Sequence, residues 1–437
     1  MSLEKVTQAK QESANTAPYK VIGSFFDEGS FCEIDALAKS GDGFAEAVAG
    51  FGTVQGLPVY AFVQNSDICG GAMSKAQAKK ITKLYDLALK TGAPVVGFYD
   101  SVGGRLKEGN EMLSAFGEVL SAAGKISGVV PQISVILGNC LGTAALTAVN
   151  ADFVIMEKNA SLSLNTAGED ASSSYNAENG IASVVATSVE DAVNKTIELI
   201  TYLPSNNLNV APAAFEQMPS AQSCECIASK FVDADSIFKL YPKYGTGAGT
   251  VLARIDGQVV GIVRTKGEDI DCKSAKKIAK MVRFCDAFSI PVITLVDAKS
   301  FTSVKSAALV ASAYAEATTV KISVITGKAY GALYLALAGS GAGCDMVYAL
   351  PQATVSPIEP KAAAYIMIPD EMNVEVSKQN AVAEKYAEEN FSAFNAAQNG
   401  FADDVITDEQ LREKISSALD MLSGKRVPTL AKKHSTV

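Results

Sequence analysis

Two short stretches of this chain combine residue types that can hold a developing negative charge. At 131–149, PQISVILGNCLGTAALTAV, an apolar β-branched run at 133–137 reads as a buried strand. Gly138 and Gly142 bracket a tight turn, and the alanine- and leucine-rich 143–149 reads as a helix. Amides at such a strand-to-helix turn lack partners of their own and point outward, an arrangement that can stabilise an oxyanion. The second stretch, VKISVITGKAYGALYL at 320–335, repeats the first at an offset of 189: Ile322-Ser323-Val324-Ile325 against Ile133-Ser134-Val135-Ile136, Gly327 against Gly138, Gly331 against Gly142. Either stretch alone reads better as ordinary strand-turn-helix core. The recurrence sets them apart.

The rest of the composition narrows the chemistry. The only histidine is His434, in a polar C-terminus, which removes Ser-His-Asp and Cys-His catalysis and histidine-rich metal sites. Catalysis would have to rest on backbone amides, carboxylates, lysines, hydroxyls or a cofactor. Eight cysteines are scattered, with Cys224 and Cys226 the one close pair, a pattern that fits reduced thiols in the cytoplasm and no metal. A net charge of −9 argues against a nucleic-acid or anionic-membrane surface. The first twenty residues are polar, so no signal peptide is expected, nor any transmembrane helix.

The elements that must position the two turns are themselves duplicated. Lys79-Lys80-Ile81-Thr82-Lys83 parallels Lys276-Lys277-Ile278-Ala279-Lys280, and Ala93-Pro94-Val95-Val96 through Asp100 parallels Ile290-Pro291-Val292-Ile293 through Asp297, both at offset 197. Asp152-Phe153-Val154 matches Asp345-Met346-Val347. Ordered recurrence with small changes of offset marks a duplicated domain rather than a solenoid. The 437 residues accommodate two domains of the usual size. The expected order in the first copy is a hairpin at 52–63, a helix at 74–90 capped by Ser74, a strand at 94–99, a glycine-rich loop at 100–109 and a helix at 111–125. The strand-turn-helix, a strand at 153–157, a serine-rich loop at 167–179 and a helix at 188–202 come next. Alternating strands and helices predict α/β architecture. The expected divisions are a flexible arm at 1–20, a first domain at 21–210 and a second at 211–437, joined through a linker near 205–240. A largely helical, charged segment at 369–422 is expected outside the core.

Taken together, DEGSF (27–31), ALKTGAPVVGFYDSVGGRLKEG (88–109), VVPQISVILGNCLGTA (129–144), YLPSNN (202–207), VRFCDAFSIPVITLVD (282–297) and YAEATTVKISVITGKAYGALY (314–334) resemble the β-type carboxyltransferase subunits of biotin-dependent acyl-CoA carboxylases and decarboxylases. The resemblance implies two crotonase-like domains of the ββα-spiral (ClpP/crotonase) kind. It implies transfer of a carboxyl group between carboxybiotin and the α-carbon of a short acyl-CoA. Charge then develops on the thioester oxygen and on the biotin ureido oxygen, each held by one pair of amides. By position, Gly142 and Thr143 would serve the acyl-CoA and Gly331 and Ala332 the biotin, and loss of one donor costs roughly 3–4 kcal/mol of transition-state stabilisation. Gly70, Gly71 and Arg105 would border the coenzyme A, and Lys328 would approach a carboxylate. Plainer roles for these residues are a turn, a helix-start salt bridge and a surface lysine. Asp100 and Asp297, at equivalent strand ends, read as helix caps.

The chain also departs from the family. The second glycine of each turn is replaced by Thr143 or Ala332, the glycine- and histidine-rich insertion after Asp297 is missing, the loop after Leu164 is shortened, and VSPIEP occupies 355–360. There is no Met-Lys-Met for biotin attachment and no nucleotide-binding glycine loop. Biotin would therefore arrive on a separate biotin carboxyl carrier protein, with a biotin carboxylase or membrane decarboxylase subunit as a further partner, and this chain would form a homo-oligomer, dimer or hexamer. Two rival readings are a non-catalytic scaffold paralogue and a biotin-independent crotonase-like acyl-CoA enzyme.

Overall fold

The computed structural model describes residues 16–40, 43–165, 168–214 and 227–427. Most of the expected N-terminal arm, Ala167, Cys224, Cys226 and His434 lie outside the described residues. The chain divides into two compact units, Met1–Pro212 and Ala213–Val437.

In the first unit, helix α1 (Ala17–Phe25) precedes strand β1 (Cys32–Glu33) and a small ribbon, β2 (Lys39–Ser40) with β3 (Gly43–Phe44). The chain continues through β4 (Ala47–Val54), β5 (Leu57–Gln64), α2 (Lys75–Thr91), β6 (Val95–Ser101), α3 (Glu111–Ile126), β7 (Gln132–Leu141), α4 (Thr143–Val149), β8 (Phe153–Glu157), β9 (Ser161–Ser163), α5 (Ser173–Glu178), β10 (Val184–Ala186) and α6 (Val189–Tyr202). The main sheet runs β1-β4-β5-β6-β7-β8-β10, with β9 on the end of β7. Only β1–β4–β5 pair antiparallel; from β5 onward the ladder is parallel. The parallel strands are buried along most of their length, which is why they read as continuous apolar runs. Phe62, Phe116, Ile81, Leu84 and Ile136 belong to one buried core cluster. Ser74 caps α2 by accepting the Gln77 N–H, and Gly92 ends it at φ 67°.

The second unit repeats the main sheet strand for strand. Its sheet is β11 (Phe238–Leu240), β12 (Ala248–Ile255), β13 (Gln258–Thr265), β14 (Val292–Ala298), β15 (Lys321–Tyr330), β16 (Met346–Ala349) and β18 (Asp404–Val405), with β17 (Thr354–Ser356) on the end of β15. Helices α7 (Cys272–Ala287), α8 (Val304–Glu316) and α9 (Ala332–Leu337) take the places of α2, α3 and α4. Further helices α10 (Pro360–Met367), α11 (Pro369–Met372), α12 (Val376–Phe391), α13 (Ala393–Gln398) and α14 (Leu411–Leu422) complete it.

Side-chain devices are duplicated along with the strands. Each leading hairpin turns through two left-handed residues, Gln55 and Gly56 (φ 49° and 77°) or Asp256 and Gly257 (φ 49° and 79°). An aspartate accepts both turn amides in each case: Asp27 at 2.9 and 2.9 Å, Asp233 at 3.1 and 2.8 Å. Asp152 and Asp345 each accept the first amide of the long central strand, from Gln132 and Lys321, at 2.8 Å.

Four expectations change. Residues 17–20 of the expected arm are helical, because Pro18 sits in the first turn of α1, where its missing N–H costs no hydrogen bond. The serine-rich loop contains α5, capped by Ser172 accepting the Tyr175 N–H; its counterpart α13 is capped likewise by Ser392. Of the expected linker, 227–240 belongs to the second core, with Phe231 and Val232 fully buried. In the charged C-terminal segment, α14 packs Leu411, Ile415 and Leu419 into that core instead of lying outside it.

Equivalent lysines are treated differently. Lys80 pairs with Glu33 at 2.8 Å, whereas buried Lys277 donates to the carbonyls of Tyr241 (3.0 Å), Tyr244 (2.7 Å) and Gly245 (3.3 Å). Burial pushes the Lys277 ammonium down from 10.5 to about 8. Across about pH 8 to 10.5 the unfolded chain keeps a proton there that the folded chain releases, so this residue makes stability rise with pH in that window. Urea denaturation of wild type and Lys277→Met over the window checks this. The stability difference, wild type minus variant, is expected to climb with pH; a flat difference contradicts it.

Candidate active site

The two turns sit where a long strand changes partner. On one side β7 pairs with β8 through 133–136, then with β9 through 139–141. On the other side its register with β6 shifts, Tyr99 opposing Ile136 but Ser101 opposing Cys140, so β7 advances four residues while β6 advances two. Asp100 stands in that shift, and its Oδ1 accepts the Asn139 N–H at 3.0 Å. Gly138 lies directly beneath: a Cβ there would be 2.4 Å from the same oxygen. The second unit reproduces all of this. Strand β15 pairs with β16 through 322–325 and with β17 through 328–330, and shifts against β14 between Val296 and Ala298. Asp297 Oδ1 accepts the Lys328 N–H at 3.0 Å above Gly327, whose added Cβ would again be 2.4 Å away.

Both aspartates therefore clamp the neighbouring strand, where helix capping was expected. Gly138 and Gly327 are mid-strand residues rather than turn residues, which is why β7 and β15 run beyond the predicted strand ends.

The turns themselves are single residues, Gly142 (φ 60°, ψ −134°) and Gly331 (φ 47°, ψ −119°), in conformations that require glycine. Their N–H groups are already committed: Gly142 donates to the Ser163 carbonyl at 3.0 Å and Gly331 to the Ser356 carbonyl at 2.9 Å. Each glycine amide expected to serve an oxyanion is thus bonded to a serine carbonyl within its own unit. The first amides beyond the ladders belong to Thr143 and Ala332, the opening residues of α4 and α9, where helical geometry provides no acceptor. The next returns to the turn come later, from Ala145 N–H to the Gly142 carbonyl at 3.0 Å and from Leu335 N–H to the Gly331 carbonyl at 3.2 Å. Thr143 is half-buried and Ala332 exposed.

The surroundings of the first turn are apolar, with Val102, Leu146 and Leu164 each more than half exposed. Gly70 and Gly71 lie in a turn with φ of 63° and 67° that packs under the end of β6. A Cβ on Gly71 would be 2.0 Å from the Asp100 carbonyl oxygen, and one on Gly70 would be 2.9 Å from Val102. Their role visible in the fold is to let this turn support the Asp100 strand end. Arg105 faces inward, with Nη1 donating to the fully buried Glu46 at 2.7 Å and to Ser40. That contact is the salt-bridge role.

In the second unit, exposed Lys328 lines a groove of about 630 Å³ together with Lys299, Tyr330, Glu359 and Lys361. On the other side of β17, an apolar pocket of about 480 Å³ opens beside Gly331, walled by Tyr334, Leu335, Val355, Phe391 and Phe401. Burial raises the Tyr330 and Tyr334 hydroxyls above their usual range, so at neutral pH both are neutral phenols rather than bases. Burial does the same to the Cys140 thiol, a small core residue. What both turns share is a helix-opening amide, that of Thr143 or Ala332, for which neither the ladder nor the helix provides an acceptor.

Sequence reasoning missed the partners of that arrangement. The carbonyls of Ser163 and Ser356 carried no signal. The Asp100/Gly138 and Asp297/Gly327 pairs did: both members recur at equivalent positions in the two copies.

Comparison with known proteins gives a consistent result. A family model described as the carboxyl transferase domain matches residues 11–437. Methylmalonyl-CoA decarboxylase subunit alpha of Veillonella parvula is 32% identical, over 99% of this chain and 95% of its own length. The mitochondrial propionyl-CoA carboxylase beta chain of Sus scrofa is 32% identical, over 95% of this chain and 87% of its own. The crystal structure of transcarboxylase 12S, a hexamer with hydrolysed methylmalonyl-coenzyme A bound, superimposes with a TM-score of 0.88 at 31% identity, covering 97% of this chain and 93% of that one.

The geometry separates two kinds of substitution. Gly138→Ala forces the Asp100 carboxylate off the Asn139 amide and is expected to destabilise by about 1–3 kcal/mol. Thr143→Pro places proline at the first helical position, after a glycine whose ψ of −134° mirrors the extended conformation that precedes proline. It is expected to melt close to wild type. Calorimetry of both variants checks the contrast, and the reverse order would contradict it.

Proposed function

The chain belongs to the carboxyl transferase family, and we propose that it performs this family's reaction with one amide turn per unit. It is a carboxyltransferase. The reading places the thioester oxygen of a short acyl-CoA at the Thr143 N–H and the ureido oxygen of biotin at the Ala332 N–H. Biotin, when bound, supplies the nitrogen that gives or takes the carboxyl group. The observation that carries this reading is the repeated commitment of the turn glycine to β9 or β17, which leaves the next amide, at the same position in both units, without a partner in the ladder or the helix.

The residues present fit the two ligands. An amide donor beside an apolar pocket of about 480 Å³ suits a compact apolar ring with one strongly accepting oxygen, which is the description of biotin. In the first unit the amide holds charge as it develops on the thioester, and Thr143 crowds the acyl side where the family usually has glycine. The acceptor is therefore a short acyl group. Neither turn needs a side-chain base of its own, in keeping with a chain whose one histidine is at residue 434.

The same reading assigns partners. Biotin reaches the chain on a carrier protein, with a biotin carboxylase or a membrane decarboxylase subunit completing the cycle, and the chain assembles into a homo-oligomer. Among the described residues no helix is long and apolar enough to cross a membrane, and the proposed location is the cytoplasm.

Release of carbon dioxide from malonyl-, methylmalonyl- and glutaconyl-CoA, with and without free biotin, tests the function. Biotin-stimulated turnover of one of them is expected; turnover indifferent to biotin would overturn the reading. Thr143→Pro and Ala332→Pro, which remove one N–H each, are expected to lower kcat by about 10²–10³-fold with the fold retained, as judged by circular dichroism. Wild-type kcat in either would remove that amide from the mechanism.

A further inference from the structure

We infer that Asp100 and Asp297 are the positioning residues of the two amide turns. The inference rests on the reading of Thr143 and Ala332 as oxyanion donors, and it assigns the aim of those donors to a carboxylate on the adjacent strand.

The argument starts from the register shift. Between Tyr99 and Ser101 β6 advances two residues while β7, from Ile136 to Cys140, advances four. Two residues of β7 thus have no counterpart across the ladder, and an amide in the bulge must find an acceptor that is not a backbone carbonyl of β6. The Asp100 carboxylate is that acceptor for Asn139. It is held by its own chain, whose N–H donates to Gln64 Oε1 at 3.2 Å, and by the absence of a side chain on Gly138. The path from the clamp to Gly142 is short and pinned at every residue. Asn139, Cys140 and Leu141 pair with β9, and the ladder closes with the Gly142 N–H on Ser163. Hence the carboxylate sets where β7 leaves β8, and through β9 it sets where the Thr143 N–H points.

The second unit reaches the same geometry with different neighbours. Thr265 Oγ1 replaces Gln64 in accepting the aspartate N–H, at 2.7 Å, and Lys328 replaces Asn139 as the residue whose amide is caught. The parts that do not vary are the aspartate, the glycine beneath it and the 3.0 Å contact. Stability alone does not account for such a device, because Asn139 and Lys328 are exposed and water can take either amide when the carboxylate is removed. What water cannot do is fix the direction of the strand. A shift of the donor by a fraction of an ångström is enough to matter, since about 1 Å of misplacement costs on the order of 10²-fold in rate.

Asp100→Ala and Asp297→Ala, each beside its Asp→Asn counterpart, test the inference in the full-length protein. Carboxyl transfer between methylmalonyl-CoA and free biotin is the kinetic readout. Hydrogen exchange of the backbone, read by mass spectrometry, is the readout that does not depend on activity. Both alanine variants are expected to lose about tenfold or more in kcat with KM for methylmalonyl-CoA and for biotin within about twofold. Asparagine, which keeps an oxygen acceptor at the same place, is expected to restore most of the loss. Exchange is expected to accelerate at 139–145 in Asp100→Ala and at 328–335 in Asp297→Ala, while 133–136 and 322–325 stay protected. Unchanged kcat, a loss expressed in KM, or unchanged exchange in those segments would overturn the positioning role. A wild-type protein that transfers no carboxyl group defeats the proposed function instead, and the exchange pattern then decides the positioning role by itself.

Discussion

A backbone N–H serves one acceptor well, and in each unit the ladder decides which amide of the turn is left over. Because β7 and β15 leave one neighbour and join a three-residue strand, the first amide past the strand, that of Gly142 or Gly331, is consumed by a serine carbonyl. The next residue begins a helix, where no intrahelical acceptor exists. In the proposed reading the reactive feature is thus a consequence of pairing rather than of any special side chain. It also explains why glycine is required at the turn while its successor can be threonine or alanine: the conformation is demanding at 142 and 331, and ordinary at 143 and 332.

Much of this fold was legible in the sequence because duplication doubled every signal. The hairpins, the capped helix α2, the parallel strands and the helix starting at Thr143 all arise from local patterns that occur twice. Short elements were less legible. Helix α5 hides in a serine- and asparagine-rich segment whose residues favour turns as readily as helix starts, and its existence depends on the Ser172 cap and on Asn176 Nδ2, which donates to the Leu162 carbonyl at 3.0 Å. The length of β7 was misjudged at Gly138, since glycine in a strand pattern looks like a stop. Here it makes room for a carboxylate from the next strand, a contact that no single-strand pattern contains. The candidate site was legible as a pair of turns, but which amide is free is a property of hydrogen bonds between segments distant in sequence.

The two copies have kept the scaffold and changed its surroundings. Lys80 answers Glu33 where Lys277 answers three carbonyls, and Gln64 does by side-chain amide what Thr265 does by hydroxyl. The second unit also carries the helical excursion α10–α12, and its residues wall both the lysine-bearing groove and the apolar pocket flanking β17. One amide turn set in two different environments suits the proposed reaction, whose two unlike oxygens are a thioester on one side and a urea on the other. The divergence is concentrated outside the aspartate–glycine clamps, so binding preferences can change without moving the donors.

The most direct measurement is a crystal structure of the protein with a non-hydrolysable methylmalonyl-CoA analogue. The account predicts the thioester oxygen within about 2.7–3.1 Å of the Thr143 nitrogen, with the Gly142 N–H still bonded to Ser163. A thioester oxygen seated at Ala332, or one out of hydrogen-bond range of Thr143, would contradict it.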